Sequence, residues 1–271
     1  MKKLLYLCLL VIFIVIFLYV NNHWIVVSEH VYESERVPSS FDGMRIVQVS
    51  DLHDALFGNK QEKLVRKVKA SNPDVIFITG DLVDSNRYNL EQSLQAVRQF
   101  VKIADVYYVL GNHEVATNKV SEIYDALSSL GVHVMDNTST VLERNGERLS
   151  IVGIEDPLTG METKDMLEIA TAHIPKDRLT LLLAHRPEVF DVYVDQGIDV
   201  VFSGHAHGGQ IRIPGIGGLV APGQGLFPKY TAGVYEESAT RMVVSRGLGN
   251  SSVPYRIFNL PEIIVFELHN K

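Results

Sequence analysis

The stretch Met44-Arg45-Ile46-Val47-Gln48-Val49-Ser50-Asp51-Leu52-His53 decides the reading of this chain. An apolar run, of the kind that forms a strand covered on both faces, ends abruptly in an acid and an imidazole two residues apart. The arrangement recurs along the chain. Val75-Ile76-Phe77-Ile78 leads into Gly80-Asp81-Leu82-Val83-Asp84, and Val106-Tyr107-Tyr108-Val109-Leu110 into Gly111-Asn112-His113-Glu114. Leu179 to Ala184 runs into His185, and Val200-Val201-Phe202 into Gly204-His205-Ala206-His207-Gly208. Helical patterns separate the early runs, at Asn59 to Ala70, Leu90 to Lys102 and Lys119 to Leu130. Strand–helix–strand alternation argues for βαβ units. Strand C-termini in an open α/β sheet share one edge, where ligands bind. Five polar clusters, far apart in sequence, are therefore expected to converge there. Hairpins are expected from Val141 to Ile154 and from Gly233 to Ser245, and an ordered Gly- and Pro-rich loop from Pro214 to Pro228.

These clusters offer carboxylate and amide oxygen and imidazole nitrogen, without sulfur. That set suits Mn, Fe, Zn or Ni. In Asp51-x-His53 and His205-x-His207, alternate side chains of an extended chain end lie on one side, so both members of a pair can reach one centre. Gly80, Gly111 and Gly204 permit the tight turns that aim the side chains inward. A lone Asp or His at a strand end is ordinarily a cap or turn residue, but five such clusters are not explained that way. His23, His30, His133, His173 and His269 lie outside them and read as surface or structural residues. The one cysteine, Cys8, excludes an intrachain disulfide and a thiolate zinc cluster.

With 271 residues, 46% of them hydrophobic, the chain can build one large α/β domain. Its net charge of −7 leaves no basic footprint for nucleic acid, so no nucleic-acid partner is expected. At the N-terminus, Lys2 and Lys3 precede 17 apolar residues from Leu4 to Val20, at the short end of a membrane-spanning helix. Tyr19 and Trp24 sit where interfacial aromatics belong. The following Tyr19-Val20-Asn21-Asn22-His23 lacks the small residues of a signal-peptidase site. The expected organisation is an uncleaved membrane anchor over 1–22, a polar stalk over 23–43 and a catalytic domain over 44–271. The two lysines predict a single-pass protein of the cell membrane with an extracytoplasmic domain.

The series Asp51-x-His53, Gly80-Asp81, Gly111-Asn112-His113-Glu114, His185 and Gly204-His205-x-His207 strongly resembles the calcineurin-like metallophosphoesterase superfamily, in order and spacing, across residues 44 to 207. The resemblance implies a four-layer α/β/β/α sandwich with two divalent metals at one edge. It also implies roles: Asp51, His53 and His207 on the first metal, Asn112, His185 and His205 on the second, and Asp81 bridging both. Later segments, including His207-Gly208-Gly209-Gln210-Ile211-Arg212 and Ser245-Arg246-Gly247-Leu248-Gly249, resemble a bacterial branch with N-terminal membrane or export segments, discussed with phospholipid- and lipid A-type phosphoesterases.

Two metals about 3.5–4 Å apart can activate a water and clamp phosphoryl oxygens. His113, next to the ligand Asn112, is the candidate donor to the developing charge or the leaving oxygen. Glu114 or Asp84 is expected to orient a histidine. Arg186, Arg212, Arg246 and Arg256 are candidates for a non-scissile phosphate. The expected function is a binuclear metal-dependent hydrolase of phosphate esters or anhydrides, a phosphodiesterase or pyrophosphatase with a lipid-linked substrate. A general phosphodiesterase or nuclease with a soluble substrate, and a non-catalytic metal-binding membrane scaffold, are the alternatives.

Overall fold

Alternate residues of each apolar run point to opposite sides of a sheet, and here both sides are covered. The computed structural model describes residues 2–251 and 253–271. Helix α1 spans Lys2–His23 and strand β1 Val26–Ser34. β2 (Met44–Val49), α2 (Glu62–Ala70), β3 (Val75–Thr79), α3 (Leu90–Phe100), β4 (Asp105–Val109), α4 (Asn112–Ala116), α5 (Val120–Ser129) and β5 (His133–Val134) follow. Next come β6 (Thr138–Arg144), β7 (Glu147–Gly153), α6 (Thr163–Thr171), β8 (Thr180–Leu183), α7 (Phe190–Asp195) and β9 (Val200–Ser203). Four two-residue strands, β10 (Arg212–Ile213), β11 (Gly217–Gly218), β12 (Val220–Ala221) and β13 (Gly225–Leu226), precede β14 (Gly233–Glu237), β15 (Thr240–Val244) and β16 (Glu262–Asn270).

The strands form two six-stranded sheets, ordered β1-β16-β2-β3-β4-β5 and β14-β15-β9-β8-β7-β6. β2 to β5 run parallel, as do β7, β8, β9 and β15. Met44, Ile46, Phe77 and Tyr107 of the first sheet pack against Leu181, Leu183, Val200 and Phe202 of the second. Phe202 lies edge-on to both Phe77 and Phe266, at 5.1 Å between ring centroids in each case. Such aromatic pairs add about 0.5–1.5 kcal/mol each beyond area burial. The residues between, Val47, Val49, Ile76 and Ile78, face the other way, onto Leu64 and Val68 of α2, Leu94 and Val97 of α3, and Ile123 and Leu127 of α5. Each helix presents its apolar residues at three- or four-residue spacing, one stripe turned to the sheet. On the far side, Leu182 and Val201 meet Met166 and Leu167 of α6 and Phe190 and Tyr193 of α7. The layers are therefore α/β/β/α. Because buried strands have two covered faces, their sequences read as unbroken apolar runs.

The stretch expected as a stalk, residues 23–43, is a correction. Val26 to Ser34 form β1, paired in parallel with β16 over nine positions. Phe41 is fully buried, as is Val37. β1 is an edge strand with alternating exposure, so its outward Glu29 and Glu33 made it read as polar linker. The folded core begins at Ile25, two residues beyond α1. Residues 2–23 of α1 would extend about 33 Å at 1.5 Å per residue, enough to cross a bilayer. Its apolar residues from Leu4 to Ile16 are exposed on all sides.

Candidate metal centre

The C-terminal ends of β2, β3, β4, β8 and β9 meet at one edge, and the polar clusters meet there with them. Atoms of Asp51, His53, Asp81 and His207 lie within 4.8 Å of one another, and so do those of Asp81, His185 and His205. Asp81 belongs to both groups. Its Oδ2 is 3.5 Å from His53 Nε2 and 3.2 Å from His185 Nε2. All these residues are buried. Asn112, first residue of α4, has a buried Oδ1 without a hydrogen-bond partner, as have Asp51 Oδ2, His53 Nδ1 and His205 Nε2. Unpartnered buried acceptors are costly, and here they lie among the residues expected as ligands, so the donor set fits metal ions.

Local backbone geometry aims these side chains. Asp51, His53, Asp81, His205 and His207 all have φ between 47° and 66°. The left-handed region costs a non-glycine residue of order 1–3 kcal/mol and persists where surrounding structure enforces it. Two glycines act through close approach. A Cβ on Gly111 would lie 2.3 Å from Asp81 Oδ1, and one on Gly204 would lie 2.4 Å from Asp51 Oδ2. His185 Nδ1 donates to the Thr79 carbonyl at 2.8 Å, which turns Nε2 toward the centre.

Burial pushes Asp51 up to about 6 and Glu114 up to about 7, and lowers His53 to about 3. For Asp81, burial raises the pKa, but the charge and hydrogen bond of His185 outweigh it and hold Asp81 well below the usual carboxylate range. His185 responds in the opposite sense, to about 10, with Asp81 outweighing the cost of burial. Several acids with so little water around them make a site whose charged forms favour a cation.

His113 lies at the rim, its ring edge-on to His53 with centroids 4.4 Å apart. The Ser85 amide donates to His113 Nδ1 at 3.1 Å. An amide N–H can only donate, so the ring proton is on Nε2, 3.1 Å from Ser251 Oγ. His53, Asp84 and His113 also cluster. There, however, Asp84 is committed to Arg87 and to the amides of Asn86 and Arg87. Glu114 touches no histidine, contrary to expectation. It is fully buried and accepts from the amides of Asp81, Val83 and Gly111, tying the loops after β3 and β4 together.

The four arginines expected to meet phosphate are engaged by the protein. Arg186 pairs with Asp156 and Glu188, Arg246 with Glu262, and Arg212 donates to the Gly208 carbonyl. Arg256 is fully buried, donates to the carbonyls of Arg246 and Gly249, and approaches His207 Nδ1 at 3.4 Å. Sequence reading missed Asn259, whose Nδ2 holds the carbonyls of His207 and Gln210 at 2.7 and 3.0 Å. It also missed Asp54, which ties down Asp84, Asn89 and Ser93. Asn259 lies outside the strand ends that drew notice, and Asp54 one residue past the Asp51-x-His53 pair.

A two-sheet sandwich whose inner strands deliver two acid–imidazole clusters, joined by one aspartate, defines a metallophosphoesterase. Residues 44–209 match the calcineurin-like phosphoesterase family, and the chain belongs to it. It is 31% identical to the metallophosphoesterase YkuE of Bacillus subtilis, over 92% of this chain and 87% of that one. To the phosphodiesterase YaeI of Escherichia coli it is 29% identical, over 83% and 77% of the two chains. The crystal structure of TT1561 of Thermus thermophilus shares the fold, with a TM-score of 0.53 at 14% identity over 76% of this chain and 90% of that one. The protein is thus a phosphoester hydrolase of a family that uses two divalent metal ions.

Proposed function

We propose that the chain is a phosphodiesterase acting on a lipid-linked phosphoester at the membrane surface. Asp51, His53 and His207 would hold one metal, Asn112, His185 and His205 the second, and Asp81 would serve both. When bound, the ions supply the electrophilic pull on the phosphoryl group and the activation of water. His113, with its proton on Nε2, donates a hydrogen bond to charge developing on the phosphoryl or leaving oxygen. Glu114 keeps Asp81 and Gly111 in register by holding their amides.

One observation carries the membrane reading: the C-terminal end of α1 is part of the metal-site rim. Asn22 Oδ1 accepts from Asn250 Nδ2 at 2.8 Å and from the Arg256 amide at 3.0 Å. Asn21 Oδ1 accepts from the amide of Asn259, the residue that holds the His207 carbonyl. Phe17 packs edge-on against Phe258, at 5.1 Å. The loop carrying Phe258 is bridged through Ile257 to Ile211, at the start of the Gly- and Pro-rich loop. On that loop Ile216, Leu226 and Phe227 are exposed, as are Tyr255 and Phe258 beside it. A helix that spans the bilayer and ends on this rim holds the site at the headgroup layer, with an apolar fringe suited to acyl chains.

An anchor raises the effective concentration of a membrane-borne substrate and does little for a soluble one. Presenting a phospholipid diester in vesicles is expected to raise kcat/KM about tenfold or more over a short-chain soluble analogue. Leu226→Ser with Phe227→Ser is expected to erase that gain and leave hydrolysis of an aryl phosphodiester unchanged. Equal rates on the two presentations would leave a general phosphodiesterase that is merely anchored.

Lys2 and Lys3 before the span favour a cytoplasmic N-terminus and an extracytoplasmic catalytic domain. Protease added to intact cells or spheroplasts is then expected to digest or release residues 26–271. Protection until lysis contradicts this orientation.

A further inference from the structure

A second feature lies at the end of α1, lined by none of the metal-site residues. Between Tyr19, Val20, His23, Trp24 and Ile25 on one side and Lys63, Arg66 and Lys67 of α2 on the other is a groove of about 370 Å³. Helix α2 buries Leu64 and Val68 against the first sheet, which turns its cations outward. Residues 60–70 carry Lys60, Lys63, Arg66, Lys67 and Lys69 against one acid, Glu62, in a chain of net charge −7. Other surface arginines are paired: Arg98 with Glu91, Arg144 with Asp74, Arg148 with Glu143. Among the described residues, Lys63, Arg66 and Lys67 have no such partner. The opposite wall carries the two interfacial aromatics, Tyr19 (56% exposed, stacked on His23 at 4.5 Å) and Trp24 (63% exposed).

Tyr and Trp at the end of an apolar span mark the headgroup layer of a bilayer. Three unpaired cations at that level face phosphate, and the aromatic wall and Val20 face glycerol and the first acyl carbons. We propose that this groove binds the headgroup of an acidic phospholipid from the bilayer that holds α1. The inference rests on α1 spanning that bilayer and not on the identity of the substrate. Each Lys or Arg beside an anionic leaflet contributes about fivefold in affinity. Three of them support a preference for an anionic over a zwitterionic headgroup of about tenfold or more, after the cost of ordering their side chains. A lipid held there would fix the rotation of the domain about α1 and hence the direction in which the metal-site rim faces.

The test uses the full chain in nanodiscs of equal phosphatidylglycerol and phosphatidylcholine, with retained lipid read by native mass spectrometry. The parent is expected to keep phosphatidylglycerol over phosphatidylcholine by about tenfold. Lys63→Gln/Arg66→Gln/Lys67→Gln is expected to bring the ratio near one, with hydrolysis of a soluble aryl phosphodiester unchanged, and Lys63→Arg/Lys67→Arg is expected to keep it. A parent without preference, or a preference that survives in the triple glutamine variant, overturns the proposal. A parent released from membranes by alkaline carbonate removes the spanning helix and the proposal with it, whereas a carbonate-resistant parent without preference removes the lipid site alone.

Discussion

Asp81→Asn is expected to lower kcat/KM about 10³-fold or more on any phosphoester substrate, which corresponds to about 4 kcal/mol of transition-state stabilisation. The substitution is nearly isosteric. Asp81 Oδ1 accepts from the His113 amide at 2.9 Å, and an asparagine oxygen can do the same. What is lost is the charged Oδ2 between His53 and His185, replaced by an amide that donates where a cation belongs. In the absence of metal the variant is expected to be less stable than the parent near neutral pH, because it removes the buried carboxylate whose pKa His185 holds down and leaves that imidazole without its charge partner. The gain in Tm on adding Mn²⁺ is also expected to shrink, since stabilisation by a ligand follows its affinity for the folded state. Full activity of Asp81→Asn would remove the shared-carboxylate site.

His113→Ala is expected to reduce kcat about 10²- to 10³-fold, the range for removing one donor to a developing charge, with metal content nearly intact. His113 takes part in neither Asp81 group, and its Nδ1 is occupied by the Ser85 amide. His113→Gln, which retains an N–H near the same position, is expected to lose less. Loss of a metal on His113→Ala would make the residue a ligand and return the donor's role to another group.

The seven residues proposed as ligands could be found in the sequence because topology does the gathering. Parallel strands bring their C-terminal ends to one edge, so Asp51, Asp81, Asn112, His185 and His205 meet although more than 150 positions separate the first from the last. Buried strands also announce themselves: Val75 to Ile78 and Val200 to Phe202 have no polar face. β1 did not, because an edge strand needs few apolar residues. The backbone at Asp51, His53, Asp81, His205 and His207 was equally hidden, since left-handed geometry is normally signalled by glycine and here L-residues are held in it. Nor could charge alone separate a phosphate-binding arginine from Arg256, which is spent inside the fold on Arg246, Gly249 and His207. The docking of Asn21 and Asn22 on the loop beside His207 depends on a register between the chain's two ends, and no local pattern encodes that.

Metal content per chain tests the central claim most directly. Elemental analysis of the purified full-length protein under metal-replete conditions is expected to give two divalent ions for the parent and at most one for Asp81→Asn. A parent that binds only one ion tightly, or an Asp81→Asn variant that keeps two, would contradict a binuclear centre built on a shared aspartate.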